Sequence, residues 1–181
     1  LGWYGVEALA AVTLAATYFF VLFIFGSGFA LAVMPMVASF AASEDEQGIR
    51  RSTRMGLWLS LAFGIGVLPA FIWAEPVLRL LGQGDALAAE AGSYLQVAGW
   101  GILPALLTMV LKSYLAALER TQVVLWITVL AALVNGVVNY ALIFGNWGAP
   151  ELGVTGAAIA SLFTHAVSLL GVVLYVGIKM P

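Results

Sequence analysis

Cysteine is absent from this 181-residue chain, and charge is scarce: nine acidic and seven basic residues make up only 9% of it. The first absence excludes disulfides, thiolate metal sites and cysteine nucleophiles. The second lies far below the roughly one quarter charged that soluble domains carry. Hydrophilic stretches are missing as well, the longest being residues 43–54, so no soluble domain fits anywhere. No hydrolase triad, phosphate loop, metal cluster or paired acid is found, which argues against an enzyme. No basic patch interleaved with aromatics is present to meet a nucleic acid.

What remains is apolar, with 63% hydrophobic residues and a mean hydropathy of +1.06. Such a chain belongs in a bilayer. A hydrocarbon core about 30 Å thick takes roughly 20 residues of helix, and lipid admits only helices or closed barrels. Residues 8–43, 55–74, 91–111, 121–150 and 152–178 carry no charge. These runs are continuous rather than alternating, so the expected fold is an all-α polytopic membrane bundle. Five transmembrane helices are expected, at approximately 8–43, 50–74, 88–117, 121–144 and 153–178. The first run is long enough for two short helices broken at Gly26-Ser27-Gly28 or Pro35. One long helix is preferred, because either half would be marginally short.

Five crossings place Arg50, Arg51, Arg54, Lys112, Arg120 and Lys179 on one side and leave Arg79 alone on the other, out of seven basic residues. The positive-inside rule makes the first side cytoplasmic. Ser43 followed by Glu44, Asp45 and Glu46 suggests a helix start capped by Ser43. Glu75-Pro76 is read as the end of a span, with residues 78–94 as an interfacial segment leading into the next. Gly145 to Pro150 is a turn-rich loop, with Trp147 at aromatic-belt height. Pro35 and Pro104 are expected to be packing kinks. The chain opens on Leu1, with neither an initiator methionine nor a signal-peptide n-region, and reads as a piece of a longer protein.

Asn135 and Asn139 are the most informative residues. They lie four apart on one helical face, within the uncharged stretch 121–150. Hydrocarbon does not tolerate unpaired amides. Their partner is a neighbouring helix, water in a cavity, or a cation held by their carbonyl oxygens. In a helix starting near Thr121, Asn135 lies about 21 Å along the axis, slightly past the midplane. Polar groups at that depth point to function, with interhelical hydrogen bonding as the competing role. All the carboxylates lie at or outside span ends, so a cation at the asparagines would find dipoles here but no neutralising charge. His165, within the last span, is expected to be a hydrogen-bonded packing residue. Tyr18, Thr108, Tyr114 and Tyr140 are weaker candidates for lining a substrate cavity.

Several stretches together resemble the multidrug and toxic compound extrusion (MATE) family, in particular its NorM-like bacterial branch. They are residues 1–12 (LGWYGVEALAAV), 32–38 (AVMPMVA), 47–51 (QGIRR), 75–83 (EPVLRLLGQ), 135–145 (NGVVNYALIFG) and 148–161 (GAPELGVTGAAIAS). The resemblance covers the whole chain in order. It implies a bundle of five transmembrane helices from a six-helix MATE-type lobe, within a twelve-helix exporter of the bacterial inner membrane. The first helix and the C-terminal lobe would lie outside this chain.

The resemblance further implies an antiporter that expels cationic, amphipathic drugs in exchange for sodium ions or protons. No other cofactor is implied. The expected partners are the lipid bilayer, cationic small molecules and the remainder of the parent chain. Asn135 and Asn139 match the family's pair of polar residues on its fifth helix, and Ser161 matches a hydroxyl on the sixth. Other branches carry an aspartate at the position of Asn139, and the family's first-helix aspartate would precede Leu1. The alternatives are a lipid-linked oligosaccharide flippase of the same superfamily, disfavoured by the lack of mid-membrane Arg or Lys, and a non-transporting membrane scaffold.

Overall fold

Runs of alanine, leucine and valine without charge leave the backbone one way to satisfy itself in lipid, which is to bond within its own segment. The structure, a computed structural model, describes residues 6–148 and 150–179. Among the described residues there is no strand. The helices are α1 (Val6–Ala42), α2 (Glu46–Ile72), α3 (Ala74–Leu80), α4 (Asp85–Ala98), α5 (Ile102–Ala117), α6 (Thr121–Phe144) and α7 (Gly153–Lys179). Five stretches are long and apolar enough to cross a membrane, namely α1, α2, α4 with α5, α6 and α7.

α1 continues for 37 residues through Gly26, Ser27 and Gly28 and past Pro35. At 1.5 Å per residue it is about 55 Å long, so it must tilt or project beyond a core about 30 Å thick. The third crossing yields to its proline instead. Pro104 has no N–H to give the carbonyl of Trp100, and its ring would strike that carbonyl in a regular helix. A 3-10 turn, Gly99–Gly101, therefore joins α4 to α5.

The polar connections depart from expectation in two places. Asp45, not Ser43, caps α2: its Oδ1 accepts from the Gly48 N–H at 2.9 Å. The Ser43 hydroxyl turns back to the carbonyls of Ser39 and Phe40, because Ser43 belongs to the closing turn of α1. The interfacial segment also lies earlier than residues 78–94. Only the short helix α3 precedes the span there, and residues 85–94 already belong to the spanning helix, where Ala88, Ala91 and Leu95 are fully buried. Small side chains allow this: Gly92 packs directly on Glu75 of α3.

The crossing made of α4 and α5 is the centre of the bundle. It packs against α1, α2 and α7, while α6 leans mainly on α7. One cluster of the core gathers Phe71, Leu78, Leu95, Ile102 and Leu106. The other gathers Val33, Val37, Val110, Leu115 and Val172. Gly56 lets α2 approach both Val33 of α1 and Val110 of α5.

α6 and α7 are joined tightly. Leu152 donates its N–H to the carbonyl of Leu142 at 2.8 Å, and a Cβ on Gly156 would lie 2.6 Å from that same oxygen. α1 and α5 each end in a Schellman turn whose left-handed residue is a glutamate: Glu44 at φ 56° and Glu119 at φ 60°. Glycine takes that conformation at less cost.

Two stability outcomes are expected in thermal unfolding of detergent-solubilised protein. Gly156→Ala should destabilise by about 1–3 kcal/mol, since backbone cannot move aside for the new methyl. Glu119→Gly should stabilise by about 1 kcal/mol. A neutral Gly156→Ala would show that the α6–α7 contact is looser than a 2.6 Å approach to the Leu142 oxygen requires.

Candidate functional site

At 100° per residue, Thr128, Asn135 and Asn139 fall within about 40° of one line along α6. α7 meets that line with a hydroxyl. Asn139 donates from Nδ2 to Oδ1 of Asn135 at 2.9 Å, and Asn135 donates from Nδ2 to Oγ1 of Thr164 at 2.9 Å. Thr164 passes its own proton to the carbonyl of Ala160 at 2.7 Å. The four groups form one directed chain that ends on helix backbone. Its open end is Oδ1 of Asn139, an acceptor with no protein partner among the described residues.

Ser161 does not join this chain. Its single proton goes to the carbonyl of Ala157 at 3.0 Å, so in the 3.1 Å contact with Tyr94 it is the tyrosine O–H that donates. The bond ties α7 to α4, on the wall of a cavity of about 320 Å³. Phe19, Phe20 and Phe23 of α1 form the facing wall. His165 completes it, with its ring stacked on Phe19 at 5.9 Å and 4°. His165 packs through that stacking, without a hydrogen bond among the described residues.

The four weaker candidates are scattered. Tyr18 turns away from the cavity that its neighbour Phe19 lines; it donates to the carbonyl of Ala70 at 2.9 Å and sets its ring edge-on to Phe71. Thr108 is buried with its hydroxyl unpartnered among the described residues, as is Ser60. Tyr114 lies at the basic end, beside Arg50 and Arg54. Tyr140 is exposed and packs on Phe144 and Trp147, with ring centroids 6.3 Å and 5.4 Å apart.

Three participants were missed from sequence. Thr164 and Tyr94 lie on other helices, and no spacing rule links them to the asparagines. Thr128 was within reach, being seven residues ahead of Asn135 and hence on the same face. It accepts at 2.9 Å from Nζ of Lys112, which lies inside α5 rather than at a span end. The amine reaches α6 about 10 Å in from its start.

The profile of the family described as MatE matches residues 1–141. The chain belongs to the MatE family. A protein of Rhizobium meliloti (strain 1021), described as a probable multidrug resistance protein NorM, is 47% identical over 177 residues, covering 98% of this chain and 37% of that protein. One of Agrobacterium fabrum with the same description is 44% identical, covering 97% of this chain and 38% of its own length. The chain thus spans less than two fifths of these curated relatives.

Among solved structures, an inward-facing multidrug resistance MATE family transporter of the MOP superfamily superposes with a TM-score of 0.87 at 22% identity, over 97% of this chain and 39% of that one. A MATE protein in a bent conformation gives the same TM-score at 23% identity, over 97% of this chain and 38% of that one. The fold is a MATE-type bundle. Five apolar helices among the described residues, together with the bacterial relatives, identify a multi-pass inner-membrane protein of the MatE family.

The Asn135–Thr164 bond is testable by a double-mutant cycle. Asn135→Leu and Thr164→Val should couple by about 0.6 kcal/mol in unfolding free energy, with about 1.7 kcal/mol as the upper bound for such bonds in membranes. Additive effects would mean that the two side chains do not hold each other.

Proposed function

We propose that this chain is part of the N-terminal lobe of a cation-coupled antiporter that exports cationic, amphipathic compounds. The hydrogen-bonded pair Asn139–Asn135 carries the reading, set in a charge-free span one helix away from an aromatic cavity. The near relatives described as NorM support the multidrug class. The family resemblance supports sodium ions or protons as the coupling species. The aromatic wall of Phe19, Phe20, Phe23 and Tyr94 suits a cationic amphipath, since ring faces attract cations and apolar bodies fill such slots.

The chain of amides suggests how an ion would be coupled. Asn139 spends an N–H on Oδ1 of Asn135, so a hard cation that takes both carbonyl oxygens must first turn one amide out of that bond. The lobe then has a zipped arrangement without the ion and an opened one with it. Ion occupancy shifts the population between them. The neutralising carboxylate on this reading comes from outside this chain, because eight of the nine acidic residues lie at or beyond the span ends and the ninth, Glu90, sits only about 8 Å into the α4–α5 crossing. Ser161 would act through Tyr94 on the cavity wall and less directly on the ion.

Efflux of a fluorescent cation from proteoliposomes that hold the full-length protein, under an imposed sodium or proton gradient, tests this. Asn135→Leu with Asn139→Leu should cut gradient-driven efflux at least tenfold while the protein still folds and inserts. Efflux at the wild-type rate in that double variant would remove the asparagines from the mechanism.

A further inference from the structure

Away from the asparagines, three hollows share one residue, Arg54. The largest is a groove of about 360 Å³ between α2, α5 and α7, walled by Leu57, Trp58, Leu61, Leu107, Leu169 and Val173. Above its upper lip Arg50, Arg51 and Arg54 surround a second hollow, with Gln47. A third holds Arg50, Arg54, Thr53 and Tyr114.

The spacing on each helix runs the same way. α2 presents Arg50, Arg54, Leu57 and Leu61 at steps of four, three and four, one continuous stripe that passes from guanidinium to leucine. α5 gives Tyr114, Leu111 and Leu107, and α7 gives Val176, Val173 and Leu169, both at steps of three and four. Three helices therefore build one site about 10 Å long, with a cationic, hydroxyl-bearing mouth leading into an apolar trough.

The charges at the mouth are not consumed locally. Arg50 has Glu46 at 3.6 Å, in an exposed pair. Arg51 and Arg54 have no acidic partner among the described residues, and the nearby Asp45 is turned to its capping bond with Gly48. Arg79, at the opposite end, is by contrast held by both Glu75 at 2.7 Å and Asp85 at 3.5 Å. Fixing topology needs basic residues at that end. It does not need them on the lip of an apolar trough.

We infer that Arg50, Arg54 and the α2–α5–α7 groove form a binding site for one anionic phospholipid. The phosphate lies among the guanidiniums and beside the Tyr114 hydroxyl, and one acyl chain lies along Leu57, Leu61, Leu107 and Leu169. Arginine suits this role because its planar fork pairs with two phosphate oxygens at once. The site does not depend on the transport reading.

Trp58, one of six tryptophans, reports on the trough directly. Full-length protein in detergent micelles is titrated with phosphatidylglycerol or phosphatidylcholine carrying brominated acyl chains, and tryptophan quenching is followed. Brominated phosphatidylglycerol should quench a saturable component at lower concentration than brominated phosphatidylcholine, and Trp58→Phe should lack that component. Arg54→Gln should weaken the phosphatidylglycerol titration about fivefold, as expected for one basic residue at a membrane surface, whereas Arg79→Gln should leave it unchanged. Equal quenching by the two lipids, or a component that survives Trp58→Phe, would overturn the inference. So would displacement by soluble glycerophosphoglycerol at matching concentrations, which would reduce the site to a phosphate pocket. Should Arg54→Gln fail to fold, the two-lipid comparison and Trp58→Phe still decide.

Discussion

A carboxamide in hydrocarbon has two N–H groups and a carbonyl to satisfy, and lipid offers nothing to any of them. α6 carries two such groups one turn apart. The structure meets part of that demand with a line of donors, Asn139 to Asn135 to Thr164 and onto the Ala160 carbonyl. Much else follows from that solution. α7 must lie close enough for a threonine to reach, which Gly156 permits by letting its helix touch the backbone of Leu142. The loop between them is drawn in by the Leu152–Leu142 bond. Left over among the described residues are one N–H of each amide and one acceptor, Oδ1 of Asn139, and the leftover acceptor is what makes the site interesting for a cation.

The extent of the apolar runs was legible in the sequence because it depends on composition alone. The rotation of each helix was not. Tyr18 and Phe19 are adjacent, yet one bonds to the backbone of α2 and the other lines the cavity. Helix propensity is the same for either facing, and only packing against α2, α4 and α7 chooses between them. The same limit explains Ser161 and Thr164. Both are hydroxyls on α7, three residues apart, and their partners differ because α4 and α6 approach from different sides. Ser43 and Asp45 differ by the point at which α1 unwinds, which a left-handed Glu44 decides.

The charges divide by their surroundings. Arg79 is enclosed by carboxylates, Lys112 leans inward to a threonine, and Arg54, at the end where α2, α5 and α7 converge, has no acidic partner among the described residues. Counting them gives an orientation, but only coordinates separate a charge that anchors from a charge that is poised to receive. Lys112 also qualifies the view that the membrane interior of this chain is free of basic groups, since its amine reaches a turn and more into the bundle.

α6 has a consequence for how the protein is made. Most of its contacts within the chain are with α7, and the two are antiparallel neighbours joined by a short, tight loop. Leaving the ribosome in succession, they can enter the membrane as a closed hairpin with the amides already matched to Thr164, so that neither helix has to cross with a bare polar face. The three crossings of this chain that precede α6 can then be placed in the order of synthesis, with α6 and α7 entering together.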